Sequence, residues 1–135
     1  MERLTYILDT NAVADFLNQF PATTSRVQTA IADDRRVYLA QPVHYEVLRG
    51  LLKAGATRKL SIFEQVFAPQ LDWLLLTDAD WRLAAQLWAD ATRKGKQLSD
   101  LDYLIAALAV RLDAVIVSDD NDFDALPVKR ENWRT

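Results

Sequence analysis

Short apolar runs that empty into acidic residues constrain this chain more than any other feature. Tyr6-Ile7-Leu8 leads directly into Asp9-Thr10-Asn11, and Val115-Ile116-Val117 leads directly into Ser118-Asp119-Asp120-Asn121-Asp122. Strand-like runs occupy residues 5–8, 37–40, 73–76 and 114–117, with a short fifth around Val128. Helical patterns separate them. Residues 11–20 carry Val13, Phe16, Leu17 and Phe20 at helical spacing, and residues 42–54 set Val47, Leu48, Leu51 and Leu52 on one face behind Pro42. Residues 57–67 read as a further helix ended near Pro69. Residues 78–94 turn Leu83, Leu87 and Trp88 inward after a Thr77/Asp80 capping box, and residues 101–112 carry the stripe Leu101, Leu104, Ile105, Leu108 and Leu112. Strands alternating with amphipathic helices predict an α/β fold with a parallel sheet. The 135 residues show no repeat and no long linker, which predicts one domain over residues 1–135.

Composition removes several chemistries. There is no cysteine, so disulfides, thiolate metal sites and a cysteine nucleophile are excluded, and the single histidine, His44, excludes a His-rich zinc site. The first apolar stretch is too short for a signal sequence or a membrane span, so the expected location is the cytoplasm, with no membrane partner. Hydrophobic residues make up 50% of the chain, enough for a packed core without staples. The net charge of −3 draws no nucleic acid by itself; binding RNA would need a local basic patch or metal ions.

In a parallel α/β sheet, ligands bind beyond the carboxyl ends of the strands. The two acidic exits therefore point to one rim. Glu46 and Asp102 fall in the expected first turns of the helices beginning near Pro42 and Asp100, off the apolar faces, where they are expected to join that rim. Two like charges about 4 Å apart repel by roughly 4 kcal/mol at an effective dielectric near 20. Such a cluster either keeps protons or recruits a cation. Oxygen donors without His or Cys favour Mg²⁺ or Mn²⁺, ions that activate water at phosphodiesters. Asp9, Glu46, Asp102 and Asp120 form the core of this candidate site.

Taken singly, each acid has a plainer explanation. Asp9 fits a helix cap, Glu46 a surface partner of Arg49 or Lys53, and Asp102 a capping box with Ser99. Ser118–Asp122 fits a solvated turn. Independent caps have no reason to occur at two strand exits and two helix starts in this order, and the joint pattern favours a shared site. Asp120, Asp122, Asp124 and Glu131 match the spacing of a calcium loop, but Ala125 stands where glycine is needed and Pro127 interrupts. His44 reads as a packed or loop histidine. Trp73, Trp81, Trp88 and Trp133 read as core or interface residues rather than a base-stacking platform, with Trp133 left open.

Leu8-Asp9-Thr10-Asn11, Glu46-Val47-Leu48-Arg49-Gly50, Asp102-Tyr103-Leu104-Ile105-Ala106-Ala107 and Ser118-Asp119-Asp120-Asn121-Asp122-Phe123 together resemble a PIN domain, most closely the VapC-type toxins of toxin–antitoxin pairs. The resemblance covers nearly the whole chain. It implies a three-layer α/β/α fold with a central parallel sheet and a Mg²⁺- or Mn²⁺-dependent endoribonuclease. It also implies a homodimer and a small VapB-like antitoxin. Carried over by position, Asp9, Glu46 and Asp102 match the first three acids. The fourth lies in the last segment, where Asp120 is favoured and Asp119 and Asp122 remain open because this loop is a residue short. Asn11 and Ser118 match supporting polar positions, and Asp100 is an extra carboxylate. Arg49, Lys53, Arg58 and Lys59 after Glu46, and Arg93, Lys94 and Lys96 before Asp102, are candidate phosphate contacts, although cations also suit helix ends. A processing nuclease outside a toxin pair and a catalytically silent PIN-like module remain as alternatives. A phosphoacceptor receiver fits poorly, because the first strand ends in one Asp and the run at 73–76 ends in Thr77.

Overall fold

The computed structural model describes residues 4–135. Five strands form one sheet: β1 (Thr5–Leu8), β2 (Arg36–Ala40), β3 (Asp72–Leu74), β4 (Val115–Val117) and β5 (Lys129–Glu131). Their order is β3-β2-β1-β4-β5, and every pairing is parallel. β1 is central: Tyr6 lies opposite both Val37 and Val115, and Ile7 opposite both Tyr38 and Ile116. A strand flanked on both sides is apolar on both faces, and Tyr6, Ile7 and Leu8 are all buried. The chain first builds β1, β2 and β3 outward in one direction, then returns to add β4 and β5 on the other side. The switch point therefore lies between β1 and β4, where a crevice opens beyond the strand ends.

Six helices flank the sheet in a three-layer α/β/α arrangement: α1 (Thr10–Leu17), α2 (Pro21–Ala32), α3 (Gln41–Ala54), α4 (Thr57–Ile62), α5 (Asp78–Arg93) and α6 (Asp100–Leu112). Both expected capping boxes are present, Thr77 with Asp80 at α5 and Ser99 with Asp102 at α6. The α6 stripe packs inward through Leu104, Ile105 and Leu108, joined by Phe63, Phe67, Phe123 and Ile116 in the core. No helix of the described residues is long and apolar enough to cross a membrane.

Some elements depart from the pattern read in the sequence. The helix expected over residues 11–20 stops at Leu17, Gln19 takes a left-handed φ of 59°, and a second helix, α2, begins at Pro21. Its buried face is built from Thr23, Val27 and Ala30, too small and polar a stripe to announce a helix. The helix expected over 57–67 loosens into a π turn at Phe63–Phe67, which buries both phenylalanines. β3 lies one residue earlier than expected at its start and ends at Leu74. Trp88 and Leu52, expected inward, are 51% and 60% exposed. Trp73 and Trp81 are also half exposed, while Trp133 is buried against Tyr6. His44 packs as expected, between the rings of Phe63 and Trp73.

Asp80 ties α5 to α6. It is 1% exposed, accepts from Thr77 N and Oγ1, and accepts from Arg111 Nε at 2.8 Å. Burial raises its pKa, but the Arg111 and Thr77 hydrogen bonds outweigh burial and hold the carboxyl below its usual range. Arg111 also donates to Leu75 O at 3.2 Å, fixing the exit of β3. Asp80→Ala removes half of the capping box and leaves the Arg111 guanidinium without its carboxylate, so urea unfolding should show a loss of about 2 kcal/mol or more.

Candidate active site

Asp9 follows β1 directly, and its N–H donates to Val117 O at 3.0 Å, extending the β1–β4 ladder by one bond. That bond holds the carboxylate over the switch point. Its Oδ1 accepts from Thr10 N at 2.8 Å and its Oδ2 from Ser118 Oγ at 2.8 Å. An ordinary cap would satisfy the second or third amide of the helix; here the carboxylate reaches only the first and spends its other oxygen across the sheet. Ser118 is 2% exposed and works in both directions, because its Oγ also accepts from Asp120 N at 3.0 Å. One hydroxyl thus joins the exits of β1 and β4.

Asp9 is 5% exposed. Burial pushes its pKa up to about 6; the Ser118 and Thr10 hydrogen bonds resist, and the charges of Asp102 and Glu46 add to the rise. Asp102 is raised for the same reasons, first by burial and then by Asp120 and Glu46, against the Ser99 hydrogen bonds. Asp9 thus feels the charges of Asp102 and Glu46, and Asp102 those of Asp120 and Glu46. Asp102 gives Oδ2 to the Ser99 capping box, so the capping reading and the site reading both hold for it. Glu46 sits in the second turn of α3, deeper than its sequence position suggested, and lies 3.7 Å from Arg49. It borders a hollow of about 210 Å³ shared with Thr10, Leu17, Val47, Leu51 and Lys59. Thr10 Oγ1 is buried without a hydrogen-bond partner.

The remaining candidates separate. Asp119 accepts from Asn11 Nδ2 at 3.2 Å and from Arg134 Nη1 at 3.1 Å. Asp120 Oδ1 caps a short 3-10 turn by accepting from Asp122 N at 2.9 Å, while Asp122 is exposed. Asp100 is exposed and lines a different hollow with Trp81, Trp88 and Tyr103. Arg49 lies over the Tyr45 ring, Lys59 donates to Asn18 Oδ1 at 2.6 Å, and Lys53 and Arg58 are exposed on α3 and α4. Asp124, the third residue of the calcium-loop spacing, is held by two hydrogen bonds from Arg130, and Glu131 accepts from Trp133 Nε1. Sequence reasoning missed Asp15 and Arg134, whose bidentate pair borders the site. No local signal marks a buried aspartate whose partner lies 119 residues away.

Among the described residues, no three acidic, histidine or cysteine side chains already stand close enough to enclose an ion. Mg²⁺ keeps several waters and takes one or two carboxylates, so it needs no closed protein cage. The donor set fits such an ion: oxygen only, with a buried carboxyl that gives up its proton reluctantly.

The PIN domain family profile matches residues 6–129. The chain belongs to the PIN domain family. Ribonuclease VapC11 of Mycobacterium tuberculosis is 32% identical over 127 residues, covering 89% of this chain and 90% of that protein. Ribonuclease VapC19 of the same organism is 26% identical over 112 residues, covering 83% and 86%. Among solved structures, a DNA-bound VapBC from Salmonella typhimurium superposes with a TM-score of 0.85 at 24% identity, covering 96% of this chain and 98% of that one. VapBC2 from Rickettsia felis, bound to a DNA fragment from its promoter, gives 0.82 at 22%, covering 96% and 99%. These structural likenesses establish a shared PIN fold.

Folding raises the Asp9 pKa from 3.8 to about 6, so the folded chain binds a proton that the unfolded chain releases. The resulting stability is fully present below about pH 4 and is lost as pH rises through about 6. Above that, the ionised carboxylate costs the metal-free protein up to about 3 kcal/mol. Asp9→Asn keeps an acceptor for Thr10 and offers Ser118 a donor. In EDTA at pH 7.5 the variant should therefore unfold at a higher temperature than the native chain, and the gap should close by pH 4.

Proposed function

We propose that this chain acts, as a single PIN domain, as a divalent-cation-dependent endoribonuclease and the toxin of a VapBC-type pair. The observation that carries the reading is the buried Asp9 carboxylate, fixed by Ser118 at the β1/β4 switch point with Asp102 and Glu46 as its charged neighbours. The ribonuclease names of the VapC relatives support the activity. The VapBC complexes with the same fold support a VapB-like antitoxin as partner. A second copy of the chain and the cytoplasm complete the expected setting.

Asp9, Asp102, Asp120 and Glu46 are the residues that would hold Mg²⁺ or Mn²⁺. Such an ion, when bound, supplies water of lowered pKa and stabilises charge on a leaving oxygen. The protein's own contribution is placement. Ser118 holds Asp9 Oδ2 at the junction of β1 and β4, and Ser99 pins Asp102 by one oxygen only. The hydrogen bond from Asp120 N to Ser118 holds the β4 loop in register with them. Arg49, Lys53, Arg58 and Lys59 provide cations on α3 and α4 beside Glu46, where they hold RNA phosphates against the repulsion of the acids.

The test combines activity and binding. Purified chain with Mn²⁺ should cleave single-stranded RNA, and EDTA should stop it. Asp9→Asn and Asp102→Asn should each reduce the rate by at least about a hundredfold, the scale expected on losing transition-state charge stabilisation, with the circular dichroism spectrum unchanged. Native cleavage rates in both variants would sink the assignment of the site.

A further inference from the structure

Five acids lie along the rim beyond β1 and β4; the charges of Asp102 and Glu46 raise Asp9, and those of Asp120 and Glu46 raise Asp102. Asp119, adjacent in sequence to Asp120, is turned elsewhere. Its Oδ2 accepts from Arg134 Nη1 at 3.1 Å, and its Oδ1 accepts from Asn11 Nδ2 at 3.2 Å. The other edge of the same guanidinium grips Asp15, with Nε to Oδ2 at 2.8 Å and Nη2 to Oδ1 at 2.7 Å. Asp15 is 6% exposed and also accepts from Thr23 Oγ1 at 3.0 Å, so α1 and α2 together form the anchor. The Arg134 hydrogen bonds hold the Asp15 carboxyl below its usual range.

Arg134 is itself held in place. Trp133 beside it is 4% exposed, meets Tyr6 edge-on at 5.0 Å between centroids, and donates from Nε1 to Glu131 at 2.9 Å. Arg26 of α2 donates to Asn132 O at 3.3 Å and Thr135 O at 3.1 Å, and stacks 5.5 Å from the Trp133 ring centre. The segment after β5 is thus laid against α1 and α2, and a planar fork with five donors spans two carboxylates that a lysine ammonium cannot span together.

We propose that Arg134 is a positioning residue: by clamping Asp119 to Asp15 it keeps Asp119 out of the cation-binding set and leaves Asp120 as the acid that the β4 loop presents. The clamp rests on the reading of Asp9, Glu46, Asp102 and Asp120 as the cation site. It sets how much negative charge the site carries. A freed Asp119 would add one more anion within reach of the ion and strengthen its binding.

Calorimetric titration of metal-free chain with Mn²⁺ tests this. Arg134→Gln should tighten Mn²⁺ binding by about threefold or more, and Asp119→Asn should stay within about twofold of the native chain. The Arg134→Gln/Asp119→Asn double variant should return to the Asp119→Asn value. Arg134→Lys retains a cation for Asp15 and should tighten binding likewise with a smaller loss of stability, which keeps the test usable if the glutamine variant folds poorly. Any stability lost through Asp15 persists in both backgrounds, so the cycle separates support of the fold from control of the site. Unchanged affinity in folded Arg134→Gln and Arg134→Lys, a gain that persists without Asp119, or weakening of more than about tenfold in Asp119→Asn would each overturn the clamp alone. Native Mn²⁺ affinity in Asp9→Asn and Asp102→Asn would overturn the cation site and the clamp together.

Discussion

A carboxylate buried at the end of a central strand is expensive, and much of this molecule is arranged around that expense. Among the described residues the Asp9 carboxylate accepts two hydrogen bonds, from Thr10 N and Ser118 Oγ, and they do not restore an ordinary pKa. The strain is electrostatic rather than steric. A ligand that binds the folded chain through such a group returns stability as it binds, by mass action. The parallel order β3-β2-β1-β4-β5 imposes this position, because it brings Asp9 and Ser118 together across 109 residues at the one crevice the topology leaves open.

Around that point the fold uses the same few devices repeatedly. Serines hold two of the acids: the Ser118 hydroxyl donates to Asp9, and the Ser99 backbone N–H donates to Asp102. Arginine forks hold the loops: Arg130 grips Asp124 and donates to Ser118 O, Arg134 grips Asp15 and Asp119, and Arg111 grips Asp80. Three arginines are thereby committed to aspartates of the same chain, whose net charge is −3. On the proposed reading, the cations of α3 and α4 beside Glu46, rather than the whole surface, would meet RNA phosphates.

The capping motifs show why local explanations and site explanations need not compete. Asp102 completes the α6 capping box with one carboxylate oxygen, and a cap requires no more than that. Asp9 sits at a helix start but reaches only the first amide, and Asp120 caps a 3-10 turn while its own N–H is bound to Ser118. Each of these three acids is held by a short-range hydrogen bond, while Ser118 and the charges that raise Asp9 and Asp102 include groups from distant segments.

Short-range information was enough for the sheet-and-helix alternation, both capping boxes, the α6 stripe and the acids at the strand exits, because each is written in spacing and in neighbours a few residues apart. The family follows from the same segments, since Asp9, Glu46, Asp102 and the Ser118 loop lie in contiguous motifs. Tertiary structure decided the rest. It decided that α2 exists, because a Thr23/Val27/Ala30 stripe becomes a helix face only once the sheet offers it a surface. It turned Trp88 and Leu52 outward and Trp133 inward, since helical spacing ranks faces but cannot say where a neighbour ends. At the site itself, residue order left Asp119, Asp120 and Asp122 open as a fourth acid. The fold gives them different partners: Asp120 caps a 3-10 turn at Asp122 N, while Asp119 is held by Arg134, whose pairing with Asp15 spans 119 residues, depends on distance in space and leaves no trace in local sequence.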